Sequence, residues 1–600
     1  MSLSPRQLSE LQGALAQAVV DCSQRCLYHS ARWAAELMNS TPDHEYHITL
    51  GNAGHAPQRN RLEMALEQAE MPKYLMAKTF FDCHEFRRCA ETVFPSGTSS
   101  PSIAFGKAEQ AGISQRRLFL AGYALLILGE KQKTEDAGQI LGPLDTGTVA
   151  NCHLLKIRSV LDSWFGGQDA EDPPRASSEG WLEYLYGMTL AKDQLSSLAK
   201  TWLLKSVAIN PWNWGAWQEL CSLVRNSREL DSIHAQLQPS LMAFIFSIHC
   251  RQELHQTTAA LVSDISQLLT IFPRSSFIQS QRALVSYRMN DVLAARSLFA
   301  EILLSNPMYL DFLDHYSNVL YKMESKDALA FTAQLASAVD PHRPETCCVV
   351  GNYYSLSSRH EEAVGYFRRA LLLDRNCAAA WTLLGHEYAK LENFHAAISS
   401  YMRAIALNKK DYRAYFGLGQ CYGFLERPIM SLDFYRRALA LRPGELDIWR
   451  ALADCLLALS KVPQAISALT TALHYTEGIL RENGDEWCES PFIKRGRLDA
   501  LFQLATVLWE DNDEGEATKH MQQCLDEAAR YCEEEDEEDS SDVHTSLIPK
   551  AQLSLIRWAL ENDDQPRARY LASQMKELGE HREEVSRLLD TIASSGVDTG

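Results

Sequence analysis

A ladder of polar residues is the feature of this sequence that could carry chemistry. At a constant spacing of 34 residues the chain places, in order, Asn352, His386, Gln420 and Asp454. Amide side chains both donate and accept hydrogen bonds, so the two amide rungs can pair with the main chain of an extended peptide. Glu387, beside the second rung, adds a carboxylate that could accept two parallel hydrogen bonds from an arginine. This chemistry recognises a peptide and breaks no bond.

No pattern for catalysis accompanies the ladder. The sequence has no G-x-x-x-x-G-K-[ST] phosphate loop, no H-E-x-x-H helix and no G-x-S-x-G elbow. Gly417 and Gly419 superficially suggest a nucleotide loop, but helix packing explains them better. Cys22, Cys26 and His29 could share one helix face as metal ligands, yet no fourth ligand pairs with them and packing is the favoured interpretation. We therefore predict no catalytic residue, no cofactor and no metal site.

The spacing of the ladder belongs to a longer repeat. Lines of 34 residues begin at Pro344, Ala378, Tyr412 and Leu446. In every line, place 8 is Gly or Ala, place 11 is Tyr or Leu, and place 20 is Ala or Ser. Place 24 is an aromatic residue or Leu, and place 27 is Ala. A 34-residue period with this signature identifies the tetratricopeptide repeat (TPR).

The repeat predicts how each line folds. Places 4, 7 and 11 fall on one face of a first helix, and places 20, 24 and 27 fall on one face of a second. Gly385 and Ala397 lack bulk where the two helices cross, so the backbones can approach closely. One helix pair cannot cover its own apolar face, so the repeats must stack. We predict an all-α TPR solenoid, a right-handed superhelix of helix-turn-helix repeats, with places 2, 5, 9 and 12 along a concave wall.

The repeat phase divides the chain into four predicted regions. Residues 1–60 hold N-terminal helices and a linker, and residues 61–241 hold divergent TPR-like helices. The central TPR array covers residues 242–479, where prolines at a 34-residue spacing end second helices: Pro273, Pro307 and Pro341. Residues 480–600 hold further TPR-like helices, with a capping helix near Arg582–Ile592. Within them, the acidic run Glu533–Asp542 is interpreted as a solvated loop, because its like charges repel one another.

Charge and cysteine usage narrow the possible partners. The 58 basic and 77 acidic residues give a net charge of −19, which argues against nucleic acid and against an anionic membrane surface as partners. The 15 scattered cysteines suit reduced, buried thiols. No signal peptide is visible, and the longest nearly apolar run, Leu118–Leu128, is too short to span a bilayer. We expect the protein in the nucleus and cytoplasm.

Candidate modification sites fall in predicted loops. A proline-directed kinase could reach four Ser-Pro or Thr-Pro pairs: Ser4-Pro5, Thr41-Pro42, Ser100-Pro101 and Ser490-Pro491. The dipeptide is common, so these pairs by themselves do not indicate regulation.

Several stretches are more specific than a generic TPR. They are Arg343–Leu356 (RPETCCVVGNYYSL), Ala380–Tyr388 (AWTLLGHEY), Asn408–Gln420 (NKKDYRAYFGLGQ), Trp214–Cys221 (WGAWQELC), Leu141–Leu144 and Ser30–Leu37. Together they closely resemble subunit eight of the anaphase-promoting complex, or cyclosome, the family also called cell division cycle protein twenty-three. The resemblance runs in order from Ser30 to Pro443, is most specific from Arg343 to Pro443, and fades after Leu446.

The resemblance implies a function and a set of partners. Members of the family are non-catalytic scaffolds of a multi-subunit ubiquitin ligase that drives mitotic exit, and catalysis belongs to a RING–cullin pair in other subunits. Their N-terminal repeats form a homodimer. Their C-terminal groove receives the C box, a basic motif of activator proteins. The other subunits and these activators are therefore the partners that the resemblance implies for this chain.

Two other functions fit parts of the pattern. A different TPR scaffold, or a co-chaperone that clamps a partner's C-terminal peptide, is the alternative. A TPR-fused enzyme such as a glycosyltransferase has little room, because helical repeats account for nearly the whole chain.

Overall fold

The computed structural model describes residues 5–41, 61–94, 113–136, 151–166, 178–483 apart from 257 and 290, 491–534, and 547–562 with 566 and 568. Regular secondary structure in these residues is helical, and none of them forms a strand. The prediction of an all-α TPR protein is confirmed.

The described residues form the following helices, given in chain order. The first fourteen are α1 (Pro5–Gln24), α2 (Tyr28–Asn39), α3 (Arg61–Asp82), α4 (Phe86–Glu91), α5 (Gln115–Asp136), α6 (Leu154–Gly166), α7 (Trp181–Lys192), α8 (Ser196–Ile209), α9 (Trp214–Leu223), α10 (Ser227–Gln236), α11 (Leu241–Glu253), α12 (Ala259–Ile271), α13 (Ser276–Arg288) and α14 (Val292–Ser305). The remainder are α15 (Leu313–Lys322), α16 (Lys326–Val339), α17 (Pro344–Leu356), α18 (His360–Leu373), α19 (Ala378–Lys390), α20 (Phe394–Leu407), α21 (Tyr412–Phe424), α22 (Pro428–Leu441), α23 (Leu446–Ala458), α24 (Val462–Asn483), α25 (Pro491–Glu510), α26 (Glu514–Glu534) and α27 (Ile548–Glu561).

The chain forms two compact units. Unit 1 comprises Met1–Val285 with Leu298–Tyr309, and unit 2 comprises Ser286–Ser297 with Leu310–Gly600. The four regions derived from the repeat phase divide the chain by a different criterion, and their limits remain predictions.

In unit 2, the four predicted lines are four helix pairs. Their first helices α17, α19, α21 and α23 begin at place 1 of each line. Place 15 lies in the turn to the second helix and is left-handed in every pair, with φ between 56° and 59°. The main-chain N–H of place 16 donates to the carbonyl oxygen of place 11, at 2.9 Å in all four pairs. This is the bond that closes a Schellman motif, so the turn ends the first helix without a glycine.

In these helix pairs, the residue at place 8 is small because the aromatic ring at place 24 packs against its Cα. A Cβ atom added at Gly351 would lie 2.5 Å from the ring of Phe367, and one added at Gly385 would lie 2.5 Å from the ring of Tyr401. The prediction that small residues let the backbones approach is thus refined, since glycine at place 8 makes room for the place-24 side chain. A Cβ at Gly417 would also meet the Tyr401 ring, which supports packing rather than nucleotide binding.

Unit 1 is held together by buried contacts between distant helices. Arg25, in the turn after α1, donates from Nη2 to Oε2 of Glu179 at 2.6 Å, and both side chains are buried. The Arg25 guanidinium lies 4.5 Å from the ring centroid of Trp181, the first residue of α7. Trp33 of α2 stacks on Trp214 of α9 with 4.4 Å between centroids. These contacts bring the N-terminal helix pair onto helices far along the sequence.

The acidic run, the capping helix and the Ser-Pro and Thr-Pro pairs can be compared with the structure only in part. Glu533 and Glu534, the start of the acidic run, are helical and end α26, whereas the rest of the run and the capping helix near Arg582–Ile592 lie outside the described residues. Thr41 is buried and its Oγ1 accepts a hydrogen bond from Nε2 of Gln12 at 2.8 Å, so a kinase could not reach it in this structure. Ser4, Ser100 and Ser490 lie outside the described residues.

Candidate peptide-binding wall

The ladder residues lie on one face of successive first helices in unit 2. We call this face the ladder wall and define it as the places 2, 5, 9, 12 and 13 of α17, α19, α21 and α23, with the corresponding residues of α15, together with Glu387 at place 10 of α19 and Asp411, which directly precedes α21. Adjacent places among 2, 5, 9, 12 and 13 follow one another at three- or four-residue spacing, apart from 12 and 13, so their side chains share one helix face. The wall is therefore built from one strip of each repeat.

Asn352, the first residue of the ladder, forms hydrogen bonds with the preceding repeat. Its side chain is 3% exposed. Nδ2 donates to Oγ of Ser317 at 2.9 Å and to Oδ1 of Asn318 at 3.1 Å, and both acceptors belong to α15. The amide nitrogen is thus engaged within the chain, and Asn352 holds two repeats together. Substituting Asn352 would therefore remove hydrogen bonds between two repeats as well as a rung of the ladder.

His386 pairs within its own repeat. Nδ1 lies 2.8 Å from the hydroxyl oxygen of Tyr401, on the second helix of the pair. Burial lowers the pKa of His386 to about 4. The imidazole is consequently neutral at pH 7, and it adds no positive charge to the wall.

Glu387 is the most enclosed acidic group of the wall. It is 3% exposed, and both carboxylate oxygens have partners. The hydroxyl of Ser355 donates to Oε1 at 2.6 Å, and Nδ1 of His360 lies 2.8 Å from Oε2. The ammonium of Lys390 donates to Oε1 at 3.1 Å. Glu387 therefore faces the preceding repeat and already binds a cation.

The last two rungs are exposed. The amide of Gln420 has no hydrogen-bond partner among the described residues and lies open to solvent. Asp454 is also exposed, and it accepts a hydrogen bond from Nε2 of Gln503 on α25. The ladder is thus not uniform: its first half is bonded into the wall, and Gln420 is available to a ligand.

Sequence reasoning missed several residues of the wall. Tyr321 and Ser355 occupy place 12 of two successive lines, and their hydroxyl oxygens are 3.2 Å apart. Asp411 accepts from Oγ1 of Thr382 at 3.0 Å and from Nε of Arg413 at 3.2 Å. Tyr321 and Ser355 have a signal in the sequence, because place 12 is one of the places predicted to line the concave wall. Lys390, at place 13, had no such signal.

Other kinds of site are not supported in the described part of the chain. It contains no group of three or more His, Cys, Asp or Glu residues that could hold a metal ion. Cys22 and Cys26 are buried in helix packing, and burial raises the pKa of the Cys22 thiol to about 12. None of the helices searched in it is both long enough and apolar enough to cross a bilayer.

Known family profiles match a segment of each unit. The profile described as "Anaphase promoting complex subunit 8 / Cdc23" matches residues 10–283. A tetratricopeptide-repeat profile matches residues 344–377, 378–411 and 412–445, in the phase predicted from the sequence.

Similar proteins come from plants, fungi and animals. "Anaphase-promoting complex subunit 8" of Arabidopsis thaliana is 33% identical over 395 residues, covering 62% of this chain and 64% of that protein. "Anaphase-promoting complex subunit CDC23" of Saccharomyces cerevisiae is 28% identical, covering 63% of this chain and 69% of that protein. The human "Cell division cycle protein 23 homolog" is 35% identical, covering 52% of this chain and 46% of that protein. The chain therefore spans just under two thirds of the plant relative and about half of the human one.

A solved structure shares the fold along nearly the whole chain. The "Crystal structure of APC/C hetero-tetramer Cut9-Hcn1" aligns with a TM-score of 0.55 at 15% identity, covering 98% of this chain and 99% of that chain. At this identity the similarity shows the fold alone.

The repeats and their wall define a TPR solenoid, a class of protein that presents extended surfaces to other proteins. Within that class, the chain is similar to the anaphase-promoting complex subunit 8/Cdc23 proteins, whose family profile matches residues 10–283.

Proposed function

We propose that this chain is a non-catalytic scaffold subunit of the anaphase-promoting complex, a multi-subunit ubiquitin ligase that controls mitotic progression and exit. The catalytic residues of the ligase lie in other subunits. This chain works in the nucleus and cytoplasm, and it forms a homodimer. The ladder wall of unit 2 binds the basic C-box motif of activator proteins. Similarity to the subunit 8/Cdc23 proteins supports the scaffold role, and the Lys390 ammonium bound to Glu387 supports a site for a basic peptide.

Glu387 is chemically suited to a peptide arginine. Its carboxylate is buried, and Ser355 and His360 hold it in place. Hydrogen bonds to charged groups contribute about 1.5–3 kcal/mol, more than neutral ones. An arginine also offers two parallel N–H donors that match a carboxylate. The side chain that would anchor the peptide is therefore rigid before binding.

Gln420 is suited to the peptide main chain. It stands one repeat beyond Glu387 on the same wall, and its amide is exposed. Neighbouring packed helices are about 8–10 Å apart, and an extended chain rises about 3.3 Å per residue. A peptide whose arginine contacts Glu387 would reach Gln420 about three residues further along. The net charge of −19 would also speed the approach of a basic peptide.

The alternative, a clamp for a partner's C-terminal carboxylate, is less well supported. Such a clamp needs cationic side chains directed at the ligand. On the wall, three basic side chains are paired with an acid: Lys390 with Glu387, Arg413 with Asp411 and Arg450 with Asp499. Their charges are thus neutralised by neighbouring carboxylates, which favours a basic ligand over an acidic one.

A binding titration tests the peptide site. A fluorescein-labelled C-box peptide is titrated with the full chain by fluorescence anisotropy, beside the same peptide with citrulline in place of arginine. Losing the charged hydrogen bonds should weaken binding by roughly tenfold or more. Gln420→Ala should weaken the arginine peptide several-fold, whereas Gln334→Ala, at an exposed position of the second helix α16, should not. Equal affinities for the Gln420 and Gln334 variants would mean that the peptide binds elsewhere.

A further inference from the structure

The ammonium of Lys390 sits in a preformed cation site on the ladder wall. Nζ donates to the hydroxyl of Tyr321, to Oγ of Ser355 at 2.9 Å and to Oε1 of Glu387 at 3.1 Å. It also lies 5.0 Å from the centroid of the Tyr321 ring. We call Tyr321, Ser355 and Glu387 the cation cage. These three residues come from three consecutive repeats.

We propose that Lys390 is an internal competitor for this cage, displaced when a guanidinium from a partner peptide binds. The cage is then the site on the wall that binds the peptide arginine. Because that arginine must displace Lys390, Lys390 lowers the apparent affinity of the peptide. This inference rests on the proposed function, because it assigns the cation of the C-box peptide to one set of atoms.

The cage requires a cation at all times. Glu387 and Ser355 are buried, and the second oxygen of Glu387 is held by His360 at 2.8 Å. A buried carboxylate without a counter-charge is strongly destabilising. Lys390 supplies that charge in the free chain, so the site is kept in a binding geometry without its ligand. The His360 contact lies on the other oxygen and can persist while the cation is exchanged.

Lys390 is placed so that it can leave. It is the last residue of α19, and its side chain is 38% exposed. An ammonium on a flexible four-carbon stem is strongly hydrated, so it regains favourable solvation when it swings out. A guanidinium is more weakly hydrated, bonds carboxylates bidentately and stacks on aromatic rings. Arginine therefore suits the carboxylate and ring of the cage better than the lysine that fills it.

If Lys390 competes with the peptide, removing its ammonium should strengthen peptide binding rather than weaken it. Apparent affinity is reduced by the fraction of the protein whose site is unavailable. Lys390→Met keeps the length of the side chain and removes its ammonium, so the arginine peptide should bind about tenfold more tightly. Lys390→Arg should fill the cage more firmly and weaken the same peptide several-fold. A residue that merely supported the fold would weaken binding when replaced by Met.

The experiment titrates arginine and citrulline C-box peptides with wild type, Lys390→Met, Lys390→Arg and Lys409→Met. Lys409 is exposed in the turn after α20, so its variant controls for the loss of one positive charge. We expect Lys390→Met to tighten the arginine peptide alone, well beyond any change in Lys409→Met. Affinities that follow Lys409→Met, or a gain shared by the citrulline peptide, would overturn the inference. If Lys390→Met does not fold, as judged by circular dichroism, the weaker binding expected of Lys390→Arg decides.

Failure of the inference and failure of the proposed function can be told apart. If wild type does not distinguish arginine from citrulline, the proposed peptide site itself is wrong. If wild type does distinguish them but the Lys390 variants behave like Lys409→Met, the site stands and the competition is wrong.

Discussion

The glycine at place 8 and the ring at place 24 form a matched pair in three successive repeats. The rings of Phe367, Tyr401 and Tyr435 fill the space that a Cβ atom would need at Gly351, Gly385 and Gly419. Sequence alone shows the pairing as a co-occurring pattern. The structure supplies its cause, since neither residue can change size without the other.

This pairing predicts opposite effects for two Gly→Ala substitutions in one repeat. Gly351→Ala forces a methyl group against Phe367 and should cost about 1–3 kcal/mol of stability. Gly365→Ala, in α18, meets no atom within 4 Å and should gain up to about 1 kcal/mol from helix propensity. Urea unfolding of the two variants measures both. Destabilisation of equal size in both would show that the ring does not control place 8.

His386 predicts a pH dependence with a definite sign. Burial lowers its pKa from 6.5 to about 4, so the folded state favours the neutral ring. The corresponding stability is fully present above pH 6.5 and is lost as the pH falls towards 4. Thermal unfolding should therefore show that any advantage of wild type over His386→Gln shrinks between pH 7 and pH 5. His395→Gln, at an exposed position of α20, is the matched control, and an advantage that stays constant would contradict the assignment.

At the residue scale, positions on the wall were predictable but partners were not. The 34-residue spacing places Asn352, His386 and Gln420 on one face, because a fixed period puts each at the same point of a first helix. It cannot tell that Asn352 bonds to α15 while Gln420 bonds to nothing in the described chain. Lys390 and Tyr321 are 69 residues apart, on helices separated by a further repeat, and no local pattern links them.

At the scale of elements, the array was largely predictable and its end was not. Prolines at place 32, such as Pro341 and Pro443, end second helices because they cannot donate the next main-chain bond. The line from Leu446 has Glu477 at that place. Helix α24 accordingly runs on for 22 residues to Asn483, past the point where the repeat predicts a turn. The missing proline is visible in the sequence, but the length of the resulting helix is not fixed by the repeat.

The buried Arg25–Glu179 pair predicts how the N-terminal helices are attached in unit 1. Arg25→Met leaves the Glu179 carboxylate buried without its cation, and breaking a buried pair costs about 3–5 kcal/mol. Arg6→Met, whose side chain is 91% exposed beside Glu10, should cost almost nothing. Limited proteolysis should cut Arg25→Met near the α1–α2 pair much faster than Arg6→Met. Indistinguishable cleavage rates would show that the ion pair does not secure these helices.

At the scale of the whole molecule, the homodimer is a prediction that follows from the family. Light scattering of the full chain should give twice the 67.6 kDa of one copy. A chain lacking residues 1–170 should give a monomer, because the predicted interface lies in the N-terminal repeats. Since that deletion also removes Arg25, circular dichroism must first show that the remainder is helical. A folded, dimeric truncation would place the interface elsewhere, and a monomeric full chain would contradict the prediction outright.

The central claim is that this chain is a structural subunit of a ubiquitin ligase. Affinity purification of the tagged full chain from its own cells, followed by quantitative mass spectrometry, tests this most directly. The account predicts cullin-like and RING subunits in near-stoichiometric amounts, together with other TPR subunits. It also predicts that Gln420→Ala keeps these subunits while retaining several-fold less of the activator proteins, because only the ladder wall is altered. Chaperones as the main prey, with neither cullin-like nor RING subunits present, would contradict the account.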